Sequence, residues 1–258
     1  HLSIRRQRQM CIRDSSYTLS GMVTIVMIGI PVLTMRSFAD DRKTKTDQLL
    51  LTAPVSVPKM VLAKYLSMVT VFAVPVLISC LCPLIIKMNG TAYLKTDYAS
   101  ILAFFLLGCV YIAIGMFISS TTESQIIAAV GTFGVILLLL LWPSLVNFLP
   151  TSASGSLVGF LLLWTLCVVI LHRVTSHNLL AFVLEAAGIV ALVGAYVAKK
   201  SMFDRALVNL VEKIAVTDVF QNFANNYIFD AGGLIYYASI IFLLVFLTVQ
   251  SVEKRRWS

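Results

Sequence analysis

PVLTMRSFADDRKTKTDQLLLTAP, residues 31 to 54, is a polar island between two long apolar runs. Half of it is charged or hydroxylated, yet it closes on Leu49, Leu50 and Leu51. A stretch that leaves a membrane, gathers charge and ends on an apolar edge has the makings of a surface that touches another protein. The flanking runs decide the fold class. Tyr17 to Met35 and Val61 to Ile86 are each long enough to cross a hydrocarbon core of about 30 Å.

Composition points the same way. The chain is 59% hydrophobic and 12% charged, with a mean hydropathy of +0.91, far from the roughly 25% charge of soluble domains. The net charge of +8 sits in short loops beside apolar runs, as the positive-inside rule expects, and so reads as topology rather than as a nucleic-acid surface. The five cysteines, at 11, 80, 82, 109 and 167, are odd in number and mostly lie inside apolar runs, which argues against a disulfide framework. The expected fold is an all-α, polytopic transmembrane helix bundle with a cytoplasmic helix in the polar island and an outer amphipathic segment.

Further spans are expected at Tyr98 to Ile118, Ile126 to Leu149, Asn178 to Ala198 and Leu234 to Gln250, with Pro75 kinking the second span and Pro83 near its end. Leu157 to Leu171 is short, and parity decides its status. If it crosses, there are about seven spans. Arg36, Arg42, Lys43, Lys45, Lys59, Lys64, Arg173, Lys254, Arg255 and Arg256 then face one side, against Lys87, Lys95, Lys199, Lys200, Arg205 and Lys213. A re-entrant segment would weaken that bias, so the segment is expected to span.

Residues 1 to 16, HLSIRRQRQMCIRDSS, show no apolar period and resemble translated adapter sequence. They read as a non-native tail ahead of a single transmembrane domain, 17 to 258, with a cytoplasmic segment at 36 to 60 and an outer segment at 199 to 231. A cytoplasmic island places Tyr17 outside and strands Arg5, Arg6, Arg8 and Arg13 there. The expectation is therefore an N-terminally truncated chain whose first helix is missing.

In the outer segment Phe203, Leu207, Leu210, Val211 and Ile214 recur at helical spacing, with Asp204, Arg205, Asn209, Glu212 and Lys213 facing away. Thr217 or Asp218 could cap a second short helix carrying Phe220, Phe223 and Tyr227, and Gly232-Gly233 would break the chain before the last span. Glu185 interrupts a span, where an ionisable group is a candidate functional residue, although it could equally pair with Arg173 or His177. His172 and His177 lack a third metal ligand. No G-x-x-x-x-G-K-[ST], H-E-x-x-H or G-x-S-x-G occurs, so the chain carries no recognisable nucleotide cradle or hydrolase site.

Pro31-Val-Leu-Thr-Met-Arg36, Ala39-Asp-Asp-Arg42 and Thr46-Asp-Gln-Leu-Leu-Leu-Thr-Ala-Pro-Val55 resemble the signature of ABC-2 type export permeases, in the gliding-motility-type branch. Glu123-Ser-Gln-Ile-Ile-Ala-Ala-Val130, Thr132-Phe-Gly134 and the close from Tyr236 to Trp257 follow in the family's order. Asp41 stands where a glutamate is usual and Lys45 where glycine is usual. The resemblance implies a non-enzymatic permease subunit of an exporter in a cell membrane, that of a bacterium. It would pair with a second permease as a homodimer or heterodimer, contact membrane lipid and possible auxiliary membrane proteins, and be driven by a separate cytoplasmic ABC ATPase. It also implies no cofactor in this chain, with ATP and Mg held by the ATPase. The docking residues implied are Phe38, Asp40, Asp41, Arg42, Lys43, Thr46, Asp47, Leu49, Leu50 and Leu51, an apolar anchor with a charged rim. A secondary transporter and a non-transporting assembly or scaffold protein stay open as alternatives.

Overall fold

The computed structural model describes residues 21–44, 56–89, 94–150, 152–175, 178–198, 203, 205–212, 215–217, 219–220 and 231–256. Its elements are α1 (21–34), α2 (Ala39–Lys43), α3 (Val57–Ser79), α4 (Leu81–Asn89), α5 (Leu94–Thr121), α6 (Gln125–Val146), α7 (Ala153–Thr175), α8 (Asn178–Ala198), α9 (Ala206–Glu212) and α10 (Ala231–Arg256). No strand occurs among the described residues. Five segments, Gly21–Lys43, Val57–Ile85, Asp97–Thr121, Gln125–Val146 and Gly232–Lys254, are long and apolar enough to cross a membrane. The chain is a polytopic helical membrane protein.

Two compact units divide the chain, residues 1–140 with 216–258, and residues 141–215. In the first, α5 is the axis. Every residue from Leu107 to Met116 is buried, the mark of a helix enclosed on all sides. Small residues let its neighbours approach, as is usual where no hydrophobic effect drives helices together in lipid. A Cβ on Gly108 would lie 2.1 Å from the Phe72 ring of α3, and one on Gly115 would lie 2.2 Å from Thr34 Oγ1 of α1.

Polar contacts orient these helices. Ser79 meets Met22 at one end of α1 and α3, and Lys64 meets Ser37 at the other, so the two run antiparallel. Tyr98 Oη donates to the Cys80 carbonyl, while Ser251 Oγ of α10 donates to the Ser120 carbonyl at the opposite end of α5. The C-terminal end of α10 thus shares the end of the bundle that carries residues 35–44, in keeping with the parity argument from the basic residues.

The helix of the second span is interrupted at Cys80, past Pro75, which lies within α3. Pro83 offers no N–H to the Ser79 carbonyl and its ring crowds it, and Pro83 then occupies the first turn of α4, where no N–H is required. Gly232 and Gly233 likewise do not interrupt the last span. They lie in the first turn of α10, where backbone freedom costs little.

In the second unit α7 and α8 pack together, and the short Leu157 to Leu171 run proves to be the middle of a 23-residue helix. The helix extends because hydrogen bonding along the backbone is indifferent to side-chain polarity, but the apolar parts of α7 and α8 among the described residues, Ala153–Thr165 and Leu184–Val197, are shorter than the five segments long enough to cross a membrane. Trp164 Nε1 donates to the Leu184 carbonyl at 3.3 Å. Phe203 is buried edge-on between Phe160 and Tyr196. In α9 the buried face carries Leu207 and Val208, whereas Leu210 is 46% exposed. Leu207 sits over Gly159, where a Cβ would lie 2.3 Å from its Cδ2, and this contact turns the apolar face away from Leu210. The expected second helix is described at Thr217 and Phe220, both in the first unit. Thr217 Oγ1 donates to the Leu139 carbonyl at 2.9 Å instead of capping. Asp218, Phe223 and Tyr227 lie outside the described residues.

Candidate docking site

At the end of α1 the chain turns through residues 35–38 and enters α2. Five residues cannot hold a helix in water by their own hydrogen bonds. Phe38 at the N-cap position supplies no side-chain acceptor. The acceptor comes from 80 residues away. Ser119 Oγ, at the C-terminal end of α5, accepts from the backbone N–H groups of Phe38 and Ala39 at 3.1 Å each and donates to the Met35 carbonyl at 3.3 Å. It is a cap provided by another helix, and it satisfies donors that a helix start leaves open.

Three more side chains fasten α2 to the bundle. Arg42, 9% exposed, donates from Nη1 to the Thr122 carbonyl at 3.4 Å, beyond the end of α5. Lys64 of α3 donates to the Ser37 carbonyl and the Asp41 carboxylate, with Nζ 4.5 Å from the centre of the Phe38 ring. The Lys64 and Asp41 side chains are 25% and 31% exposed, so their ion pair is partly shielded from solvent. Gln125 Nε2, at the start of α6, donates to Asp40 Oδ1. Asp40 and Asp41 in the first turn and Arg42 and Lys43 in the last also match the direction of the helix dipole.

Of the ten residues expected to dock a partner, the structure brings together Phe38, Asp40, Asp41, Arg42 and Lys43. Thr46, Asp47, Leu49, Leu50 and Leu51 lie outside the described residues. Phe38, at 5% exposure, belongs to the hydrophobic core. Asp40, Asp41 and Arg42 each hold a contact to α6, α3 or the end of α5. Lys43 and Thr44 are exposed. The supporting residues Ser119, Gln125 and Lys64 come from other helices. Ser119 and Gln125 bound the polar stretch between α5 and α6, and Lys64 lies near the start of α3. Glu185 lies on α8, half-buried, and has no hydrogen bond or ion pair among the described residues. The side chains of Arg173 and His177 lie outside them.

The model of a protein family described as ABC-2 family transporter protein matches residues 4–250. The chain belongs to that family. The match takes in the whole docking turn and both units of this ABC-2 transporter protein, and it begins within the segment 1 to 16 that its sequence pattern sets apart. No curated protein and no solved structure matches the chain. ABC-2 proteins are the membrane component of ABC-type transporters, and they generally work with an ABC ATPase.

Removing the remote cap of this ABC-2 protein has a measurable consequence. Ser119→Ala leaves two N–H groups without their acceptor and is expected to cost about 1–2 kcal/mol. Hydrogen exchange of the Phe38 and Ala39 amides should rise while the amides of α5 between Leu107 and Met116 stay protected.

Proposed function

We propose that this chain is the membrane subunit of an ABC exporter and that the segment from 36 to 60 is the lever through which a separate cytoplasmic ATPase moves the helices. One observation carries this reading beyond family membership. The short helix at the membrane boundary is tied by side chains to α3, α6 and the end of α5, so a force on α2 is delivered to the most enclosed helix of the first unit. A loop serving only as a connection would not need a cap from Ser119, a carbonyl contact from Arg42 and a lysine from α3.

The direction of the lever follows from charge. Arg36, Arg42, Lys43 and Lys64 gather at the α2 end, which supports placing that end in the cytoplasm. ATP and Mg would bind to the partner, and its closing would be felt here as a change in contact between two motor states, which is what any coupled conformational shift requires. A homodimer or a heterodimer with a second permease would complete the pathway. Within this frame Asp40, Asp41 and Arg42 set the angle of α2, and Lys43 with Thr44 forms part of the contact.

The test is site-directed cross-linking in membranes, with the five native cysteines replaced by alanine. A photo-reactive maleimide at Thr44→Cys or Gln48→Cys is expected to capture the co-expressed ATPase. The same probe at Met88→Cys, 87% exposed at the end of α4, is expected to capture none. Equal capture at both places, or none at Thr44 and Gln48, would sink the docking assignment.

A further inference from the structure

Helices α1 and α3 lie side by side with Phe104 of α5 beneath them, and they leave two openings along one seam. The first is an apolar groove of about 480 Å³, lined by Met22, Val26, Gly29, Leu33, Phe72 and Val76 among others. The second, also about 480 Å³, is lined by Arg36, Ser37, Asp41, Lys64 and Ser67 together with Leu33. Leu33 borders both, so the groove and the polar pocket are neighbours along the seam. We propose that this seam binds a single phospholipid with an anionic headgroup, its acyl chain in the groove and its phosphate in the pocket.

Charge favours an anion. Lys64 is neutralised by Asp41, which leaves the charge of Arg36 over, and the exposed Arg36 has no hydrogen bond or ion pair among the described residues. The Ser37 hydroxyl is buried without a hydrogen-bond partner among the described residues. A buried hydroxyl in that state is unfavourable, and a turn about χ1 toward a phosphate oxygen would relieve it. Arginine is also suited to hold a phosphate by two parallel hydrogen bonds.

The groove favours an acyl chain over a peptide. A peptide would bring backbone N–H and C=O groups that need partners. The one hydroxyl that lines the groove, Ser79, already donates to the Pro75 carbonyl at 2.9 Å. The pocket lies where α1 gives way to the polar turn, the level at which a headgroup sits when the chain spans a bilayer. Head and tail are thus offered in the order a lipid presents them.

The full chain, stripped of lipid in detergent, can be titrated with dioleoylphosphatidylglycerol or dioleoylphosphatidylcholine and followed by native mass spectrometry. The glycerol lipid should be retained over the choline lipid. Arg36→Gln should weaken the glycerol lipid about tenfold, the scale of one charge-assisted hydrogen bond, and the choline lipid less, because its own ammonium already offsets the phosphate charge. Gly29→Phe, placed where a Cβ meets nothing within 4 Å, should weaken both. Melting temperatures equal to that of the unaltered chain show that both variants fold, and the headgroup preference of the unaltered chain stands as a measurement independent of them. Equal retention of the two lipids, or variants that bind as before, overturns the proposal. So does displacement by inorganic phosphate with no effect of Gly29→Phe, which assigns the pocket to a free anion. A stable dimer that retains no lipid assigns the seam to a second copy and overturns it as well.

Discussion

Gly115→Ala is expected to be among the most damaging single-methyl additions in the molecule. The new Cβ would lie 2.2 Å from Thr34 Oγ1, 2.8 Å from its Cβ and 2.9 Å from its Cγ2. Thr34 cannot swing aside, because it is fully buried and its hydroxyl donates to the Ile30 carbonyl at 2.9 Å. The backbones of α1 and α5 must therefore separate, breaking the close approach that sets the position of the docking turn. Overpacking of this kind costs about 3 kcal/mol at the severe end, which for a chain of this size lowers Tm by roughly 10 °C. Thermal unfolding in detergent checks it. Gly134→Ala, where a Cβ meets nothing within 4 Å, should leave Tm in place, and Thr34→Gly introduced with Gly115→Ala should restore most of the loss, less about 1 kcal/mol for a glycine in a helix. An unchanged Tm for Gly115→Ala would mean that α1 does not pack on α5 at this point.

The spans were legible because an apolar run bounded by polar residues has few structural options in a membrane-sized length. Tyr98 to Ile118 falls within the candidate span Asp97–Thr121 for that reason, whereas Asn178 to Ala198 coincides with α8 as a helix only. Boundaries were less legible where a helix continues into polar sequence. Leu234 to Gln250 grows at both ends into Ala231–Arg256, since hydrogen bonding along the backbone is indifferent to the polarity of the side chains outside. The docking turn was legible as a charged island but not as a built structure. Its charges suggested a solvent-facing rim, while Arg42 turned inward because Thr122 offers a carbonyl past the end of α5. The deciding partners, Ser119 and Gln125, lie about 80 residues along the chain, and no local period connects them to Phe38 or Asp40. Phe38 illustrates the same limit: an aromatic residue beside charges reads as part of a docking surface, yet it is buried in the core with Lys64 over its ring.

The lever itself can be cut at Lys64. Lys64→Met keeps most of the length of the side chain and removes its charge, so the Ser37 carbonyl and the Asp41 carboxylate lose a donor and the Phe38 ring loses a cation. Hydrogen bonds to a charged group contribute about 1.5–3 kcal/mol and a cation over a ring about 0.5–1 kcal/mol. Partial exposure of both ionic partners argues for the lower part of that range, and an overall loss of about 2 kcal/mol is expected. Asp41→Asn should cost less, since the amide still accepts from a lysine. The double variant decides between a coupled pair and two separate effects. If Lys64 acts on α2 through Asp41, its cost should fall short of the summed single costs by about 1 kcal/mol. Cross-linking from Thr44→Cys should drop in Lys64→Met and hardly fall further in the double variant. Additive stability losses, with cross-linking unaffected, would show that the ion pair decorates the turn without holding it, and the force path from α2 would then have to run through Ser119 and Arg42 into α5 alone.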